Sequence, residues 1–197
     1  MTVFKAAVLQ MRSGEDPASN ARTLEALIAE AAARGAALVQ SPEMTGMLCR
    51  DLARLRSLLR PGEADPVVEA AREAARRHSV VVHLGSTAVE APDGMAANRA
   101  FVFGADGAEI ATYDKIHMFD VDLDNGESWR ESATYTPGAR AGIADVELPG
   151  AGPVRLGLAI CYDIRFPELF RAQALAGAEV LTAPAAFTRL TGEAHWH

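Results

Sequence analysis

The 197 residues hold 26 Asp and Glu against 19 Lys and Arg, a net charge of −7, with 49% hydrophobic and 23% charged residues. This length fits one domain with a sizeable core, and the balance of apolar and charged residues excludes a disordered chain. The acidity argues against a nucleic-acid partner, which needs a basic face for phosphates, but leaves room for a small acidic substrate in a locally basic pocket.

In chain order, Val3 to Leu9 reads as a buried strand. Asp16-Pro17 marks a helix start, with Asp as N-cap and Pro in the first turn; Leu24, Leu27, Ile28 and Ala31 form its apolar face and Gly35 its stop. Ala37 to Gln40 is a short strand. Asp65-Pro66 repeats the start signal for a helix lined by Val67, Val68, Ala71, Ala74 and Ala75, ending in Arg76, Arg77 and His78 at the negative end of its dipole. Ser79 to Gly85 is the next strand. Asn98 to Phe103 and Glu109 to Tyr113 flank the hairpin turn Ala105-Asp106-Gly107. Gly142 to Leu148 and Val154 to Ile160 pair around Pro149 to Pro153. Pro167 to Ala176 is a helix closed by Gly177, and Glu179 to Ala183 is a last strand. Helices between early strands, with hairpins later, predict an α/β layered domain with a mixed sheet.

No apolar run approaches the ~20 residues that cross a membrane. The start, Met1-Thr2-Val3-Phe4-Lys5, lacks a secretory leader pattern, so a cytoplasmic protein with no membrane partner is expected. Cys49 and Cys161 are too few for a disulfide framework and lack zinc spacing. Each is either a buried small hydrophobe or a reactive thiol. Cys161 follows an apolar strand and precedes a helix, in Arg155-Leu156-Gly157-Leu158-Ala159-Ile160-Cys161-Tyr162-Asp163-Ile164-Arg165-Phe166-Pro167-Glu168. There, backbone N–H groups can stabilise negative charge on a nucleophile or a developing oxyanion. Glu43 follows the strand ending at Gln40, and Lys115 follows the strand ending at Tyr113. Taken singly, each reads as a solvated surface charge. If their strands share a sheet and run the same way, both converge with Cys161 on one rim. Nucleophile, proton carrier and cationic stabiliser are the three roles that amide hydrolysis needs.

Three segments carry a resemblance: Ser41-Pro42-Glu43, Tyr113-Asp114-Lys115-Ile116-His117, and Ile160-Cys161-Tyr162-Asp163-Ile164-Arg165-Phe166-Pro167-Glu168-Leu169. In this order they resemble the Glu-Lys-Cys triad segments of the nitrilase superfamily of carbon–nitrogen hydrolases. Glu131, in Arg130-Glu131-Ser132, is similar to a second glutamate that in the family helps position substrate and lysine. The wording around Phe119 to Asp122, Phe187 and Leu190 to Trp196 is most like the branch with deaminated-glutathione amidase and omega-amidase. The resemblance implies a four-layer α-β-β-α sandwich. It also implies a Cys161 thioester mechanism with Glu43 as base, and Lys115 with the Tyr162 N–H as oxyanion stabilisers. Neither metal nor organic cofactor is implied. His117 would help shape the site. Arg165 would meet a substrate carboxylate, with a structural ion pair as the other reading.

His78 and His83 read as a helix-end and a strand residue, and the two-residue spacing of His195 and His197 is a poor metal pair. In the family the closing His195-Trp196-His197 leads into a helix, further strands and a C-terminal extension. Residues 1–197 therefore read as a single hydrolase domain lacking its C-terminal part, either a fragment or a shortened protein. A homodimer or higher homo-oligomer is expected from the family. The expected activity is hydrolysis of a small carboxylate-bearing amide, deaminated glutathione or a 2-oxo acid monoamide. The alternatives are an N-carbamoyl-amino-acid or other aliphatic amidohydrolase, and a non-catalytic binding module retaining the fold.

Overall fold

The computed structural model describes residues 3–122, 126 and 128–196, without the side chains of Leu190, Ala194 and His195. The Met1-Thr2 start and the His195–His197 spacing fall outside the described residues. Strand β1 (Ala6–Val8) leads to helix α1 (Pro17–Ala33), strand β2 (Leu38–Gln40), helix α2 (Leu52–Leu58), helix α3 (Pro66–His78) and strand β3 (Val81–Glu90). The two Asp-Pro pairs cap as their chemistry dictates. Asp16 accepts the Ala18 N–H at 3.1 Å, and Asp65 accepts those of Val67 and Val68 at 2.8 and 3.1 Å. Strands β4 (Ala96–Phe103) and β5 (Glu109–Asp114) follow as a hairpin.

Strands β1, β2 and β3 are parallel, β4 is antiparallel to β3, and β5 is antiparallel to β4. Two reversals restore the direction, so β5 points the same way as β2. The carboxyl ends of both strands, with Glu43 and Lys115 just beyond, therefore lie at one end of the five-stranded sheet. A two-stranded ribbon, β6 (Asp120–Asp122) with β7 (Ser128–Arg130), leads to the second sheet. That sheet holds β8 (Gly142–Leu148), β9 (Gly152–Leu158) and β10 (Val180–Thr182), in the order β10-β9-β8. Helix α4 (Pro167–Leu175) joins β9 to β10, and helix α5 (Arg189–His195) follows.

Alternate residues of β8, Ala144, Val146 and Leu148, are buried, as a strand with one inward face requires. With Leu156, Leu158 and Ile160 they pack on Leu38, Val81, Ala100 and Val102 of the first sheet. The opposite face of that sheet carries Val39, Val82, Leu84 and Phe103 onto Leu24 and Ile28 of α1 and Val67, Val68 and Ala71 of α3. Helix α4 covers the far side of the second sheet, where Gln173 donates to the Leu158 carbonyl at 2.6 Å. The result is the expected α-β-β-α sandwich.

Several expected boundaries move. Strand β1 is only three residues long and not buried: Val3 and Val8 are 89% and 80% exposed. It is an edge strand, paired on one side only, with β2. Strand β3 continues past Gly85 to Glu90 because β4 pairs along that whole length. Strand β9 begins at Gly152 and stops at Leu158, so Cys161 lies beyond the strand rather than at its end. The last strand shortens to Val180–Thr182. Elements α2, β6 and β7 were not expected, since three to seven residues are too few to display a period.

Candidate active site

The loop Ser41–Gly46 leaves β2 and docks where the β3–β4 register shifts, between Leu84 and Thr87. The Ser41 hydroxyl oxygen accepts the Gly85 N–H at 3.0 Å, and the Pro42 carbonyl accepts the Ser86 N–H at 3.2 Å. In return the Ser86 hydroxyl oxygen accepts the Met44 N–H at 3.0 Å, and its carbonyl accepts the Thr45 N–H at 2.8 Å. Gly85 is required there, because a Cβ would run into the Ser41 and Pro42 carbonyls. Met44 is held in the left-handed region, at φ +52°. The loop thereby turns Glu43 inward to 6% exposure.

Lys115 follows β5 directly, its N–H donating to the Asn98 carbonyl at 3.0 Å, and is 2% exposed. Glu131 opens the 3-10 turn Glu131–Ala133 after β7. The following residues pair with Ala96 of β4, which draws Glu131 alongside. The Lys115 ammonium donates to Glu43 Oε1 at 3.1 Å and to Glu131 Oε1 and Oε2 at 3.0 and 2.8 Å. Glu43 Oε2 also accepts the Ala186 N–H at 2.9 Å, and Glu131 Oε2 accepts the Phe119 N–H at 2.7 Å. Neither Glu43 nor Lys115 is the surface charge that each resembles in isolation. They are tolerated inside because each is paired and hydrogen-bonded. Burial alone would pull the Lys115 ammonium down. The Glu43 and Glu131 carboxylates, with Cys161, outweigh it and hold the group above its ordinary value.

Cys161 begins the 3-10 turn Cys161–Arg165 with φ +48°, and its N–H donates to the Pro184 carbonyl at 2.8 Å. The turn is pinned by Asp163, which is completely buried. Its carboxylate accepts the Ile160 N–H at 2.8 Å, the Tyr113 hydroxyl at 2.7 Å and the His117 N–H at 3.1 Å, and lies 2.6 Å from His117 Nδ1. Tyr113 and His117 bracket Lys115, so Asp163 ties the Cys161 turn to the Lys115 segment across the two sheets. The His117 ring stacks on Phe166 at 3.5 Å between centroids. Burial pushes the Cys161 thiol well above its ordinary range, and the Glu43 carboxylate adds to this against the opposing Lys115. Such a thiol rests protonated and needs a base. The Glu43 carboxylate and the Lys115 ammonium are the charges that act on it.

Cys161, Ile164, Arg165, Ala183, Ala185, Phe187 and Trp196 line a cavity of about 250 Å³. Arg165 is the cation in that lining. The Tyr162 N–H, at the start of the turn, has no acceptor within it. The Tyr162 ring packs edge-on against Phe119 and Phe166, at 5.1 and 5.5 Å. A wider groove of about 760 Å³ lies between the β4–β5 and β8–β9 turns, at the opposite strand ends from Glu43, Lys115 and Cys161.

Residues 5–197 match the carbon-nitrogen hydrolase family. The chain belongs to that family. It is 40% identical to the deaminated glutathione amidase of Yersinia enterocolitica over 194 residues, covering 96% of this chain and 65% of that protein. It is 34% identical to the omega-amidase NIT2 of Danio rerio, covering 100% of this chain and 68% of the relative. The crystal structure of the C. elegans NitFhit protein superposes with a TM-score of 0.82 at 32% identity, covering 97% of this chain and 46% of that one. The chain thus spans less than two thirds of the first relative and about half of the NitFhit chain.

This member of the carbon–nitrogen hydrolase family draws Glu43, Lys115, Glu131 and Cys161 into one cluster. Tyr162 and Arg165 lie on the Cys161 turn, and His117 supports that turn from behind. Two residues of the cluster were not singled out from the sequence. Asp163 sits inside the Cys161 motif, and a carboxylate two positions from a candidate nucleophile was its signal. Asn98 had none beyond being a polar residue in an apolar strand. Among the described residues, no helix is long and apolar enough to cross a membrane.

Proposed function

We propose that this member of the carbon–nitrogen hydrolase family is a thiol-dependent amidase that converts a small carboxylate-bearing amide to its acid and the free amine, or ammonia where the amide is primary. Deaminated glutathione and 2-oxo acid monoamides are the substrate class. The observation that carries the reading is the Cys161 thiol, in a left-handed turn facing a cavity and under the charges of the buried Glu43–Lys115 pair.

Glu43 takes the thiol proton as sulfur attacks the amide carbon. The oxyanion that forms is stabilised by the Lys115 ammonium and the Tyr162 N–H. Glu43 returns the proton to the departing nitrogen, the C–N bond breaks, and the amine (ammonia from a primary amide) departs, leaving a Cys161 thioester. Glu43 then activates water, which cleaves the thioester to the carboxylic acid and restores the thiol. Glu131 holds Lys115, and Arg165 at the cavity wall pairs with the substrate carboxylate. No step uses a metal or an organic cofactor.

The same reading takes residues 1–197 as one hydrolase domain, supported by the family match over residues 5–197. It also includes a homodimer or higher homo-oligomer, supported by the exposed apolar Leu175 of α4 and Leu181 of β10.

The test is release of cysteinylglycine from deaminated glutathione and of ammonia from 2-oxoglutaramate, with Cys161→Ala as the paired control. Release that disappears in Cys161→Ala is expected. Release that persists removes Cys161 from the nucleophile role. Carbon dioxide released together with ammonia from an N-carbamoyl amino acid, with no turnover of the two amides, would replace the substrate class.

A further inference from the structure

Asn98, on β4, touches three of the polar groups of the site at once. Its carbonyl accepts the Lys115 N–H at 3.0 Å. Its side-chain Nδ2 donates to Glu43 Oε1 at 2.9 Å and lies 3.4 Å from Glu131 Oε1. An amide nitrogen has two hydrogens, one for each carboxylate. The side chain is 1% exposed, and its Oδ1 has no hydrogen-bond partner among the described residues. Turning the amide over would not relieve that acceptor, since it would aim the oxygen at two carboxylates. A buried acceptor without a donor is a cost to folding. This polar residue is therefore poorly explained by stability, whereas its nitrogen is placed where two anions flank one cation.

We propose that Asn98 is a positioning residue of the site: its side-chain amide holds Glu43 and Glu131 around Lys115, in the arrangement that lets Glu43 take the Cys161 proton. The role given to Glu43 rests on the amidase reading; the geometry of the amide does not. Without the amide, each carboxylate loses a fixed donor, and Glu43 is free to rotate away from the thiol. The charged and titratable groups facing this point are Glu43 after β2, Lys115 after β5, Glu131 after β7, Tyr135 beyond it and Cys161 after β9. Loss of donors to carboxylates, or a third carboxylate among them, favours proton uptake by the cluster, so reactions that need its ionised form shift to higher pH.

Asn98→Leu removes the amide, and Asn98→Asp keeps its shape while adding an anion. Both are made in a Cys49→Ser background, so that iodoacetamide reports on Cys161 alone. The rate of Cys161 alkylation is measured against pH by mass spectrometry, with thermal melting as the check on folding. For Asn98→Leu the acidic limb is expected to move up by roughly one pH unit, with alkylation at neutral pH slowed about tenfold. Asn98→Asp is expected to move the limb further. On an amide that the wild type hydrolyses, kcat should fall at least about tenfold with KM changed less than about threefold. A folded Asn98→Leu or Asn98→Asp protein whose alkylation profile superimposes on the parent's overturns the proposal. If the wild type hydrolyses no amide while the variants still shift the profile, the amidase reading fails and the positioning role stands.

Discussion

Lys115 is the residue whose truncation separates binding from chemistry most cleanly. Its ammonium is the shared partner of Glu43 and Glu131 and the cation beside Cys161. On the proposed mechanism, Lys115→Ala is expected to slow thioester formation by roughly 10²–10³, the usual size of a lost oxyanion donor, with a smaller effect on substrate binding. Single-turnover acylation reads this directly, and an unchanged rate takes Lys115 out of the oxyanion role. His83 makes a different residue-scale point. It is fully buried in β3, its Nε2 has no partner among the described residues, and burial lowers it from 6.5 to about 4. The unfolded chain therefore binds the proton between those values and the folded chain does not. The His83 contribution is fully present above pH ~6.5 and is lost as pH falls towards ~4, amounting to about 3 kcal/mol. Urea unfolding from pH 7 to pH 4 should show this slope in the wild type. It should be shallower in His83→Leu, and equal slopes would refute the assignment.

At the scale of elements, the Cys161 turn is held less by its own hydrogen bonds than by Asp163. That carboxylate satisfies groups from the turn, from β5 and from the segment after Lys115. Burial and the nearby Asp163 charge push the Tyr113 phenol up, so it stays a donor to that carboxylate. Asp163→Ala would strand several buried donors, and a loss of about 3 kcal/mol or more is expected in urea unfolding. Asp163→Asn keeps the shape but aims an NH₂ group at other donors, so it too should release the turn. The expected mark of release is slower alkylation of Cys161 in a protein that still folds. Wild-type stability and reactivity in Asp163→Ala would show that the turn holds itself.

The site belongs to neither sheet alone. Glu43 and Lys115 extend from the five-stranded sheet, and Cys161 from the three-stranded one. Their spacing is therefore set by the apolar layer between the sheets. Leu156, with no exposed surface, lies in that layer against the first sheet. Leu156→Ala is expected to cost about 3 kcal/mol through the cavity it leaves. It should also lower turnover, because relaxation into the cavity shifts one sheet against the other. A destabilised variant with wild-type kcat would show instead that loop contacts, not the packed layer, hold the separation.

Much of this was legible along the chain. The helix starts at Asp16-Pro17 and Asp65-Pro66 are local chemistry, and the alternation in Gly142–Leu148 is local periodicity. The segments around Glu43, Lys115 and Cys161 carried the family resemblance, and with it the four-layer sandwich. The tertiary structure alone decided that Glu43 and Lys115 are buried, that β1 is an exposed edge, and that Asn98 and Asp163 join the cluster. The physical reason is range. Caps and periods act over a few residues, whereas Glu43 meets Asn98 across 55 positions, Lys115 across 72 and the Ala186 N–H across 143. Whether a charge is solvated or enclosed depends on such partners, and they are fixed only when β5 turns parallel to β2 and the second sheet closes over the first.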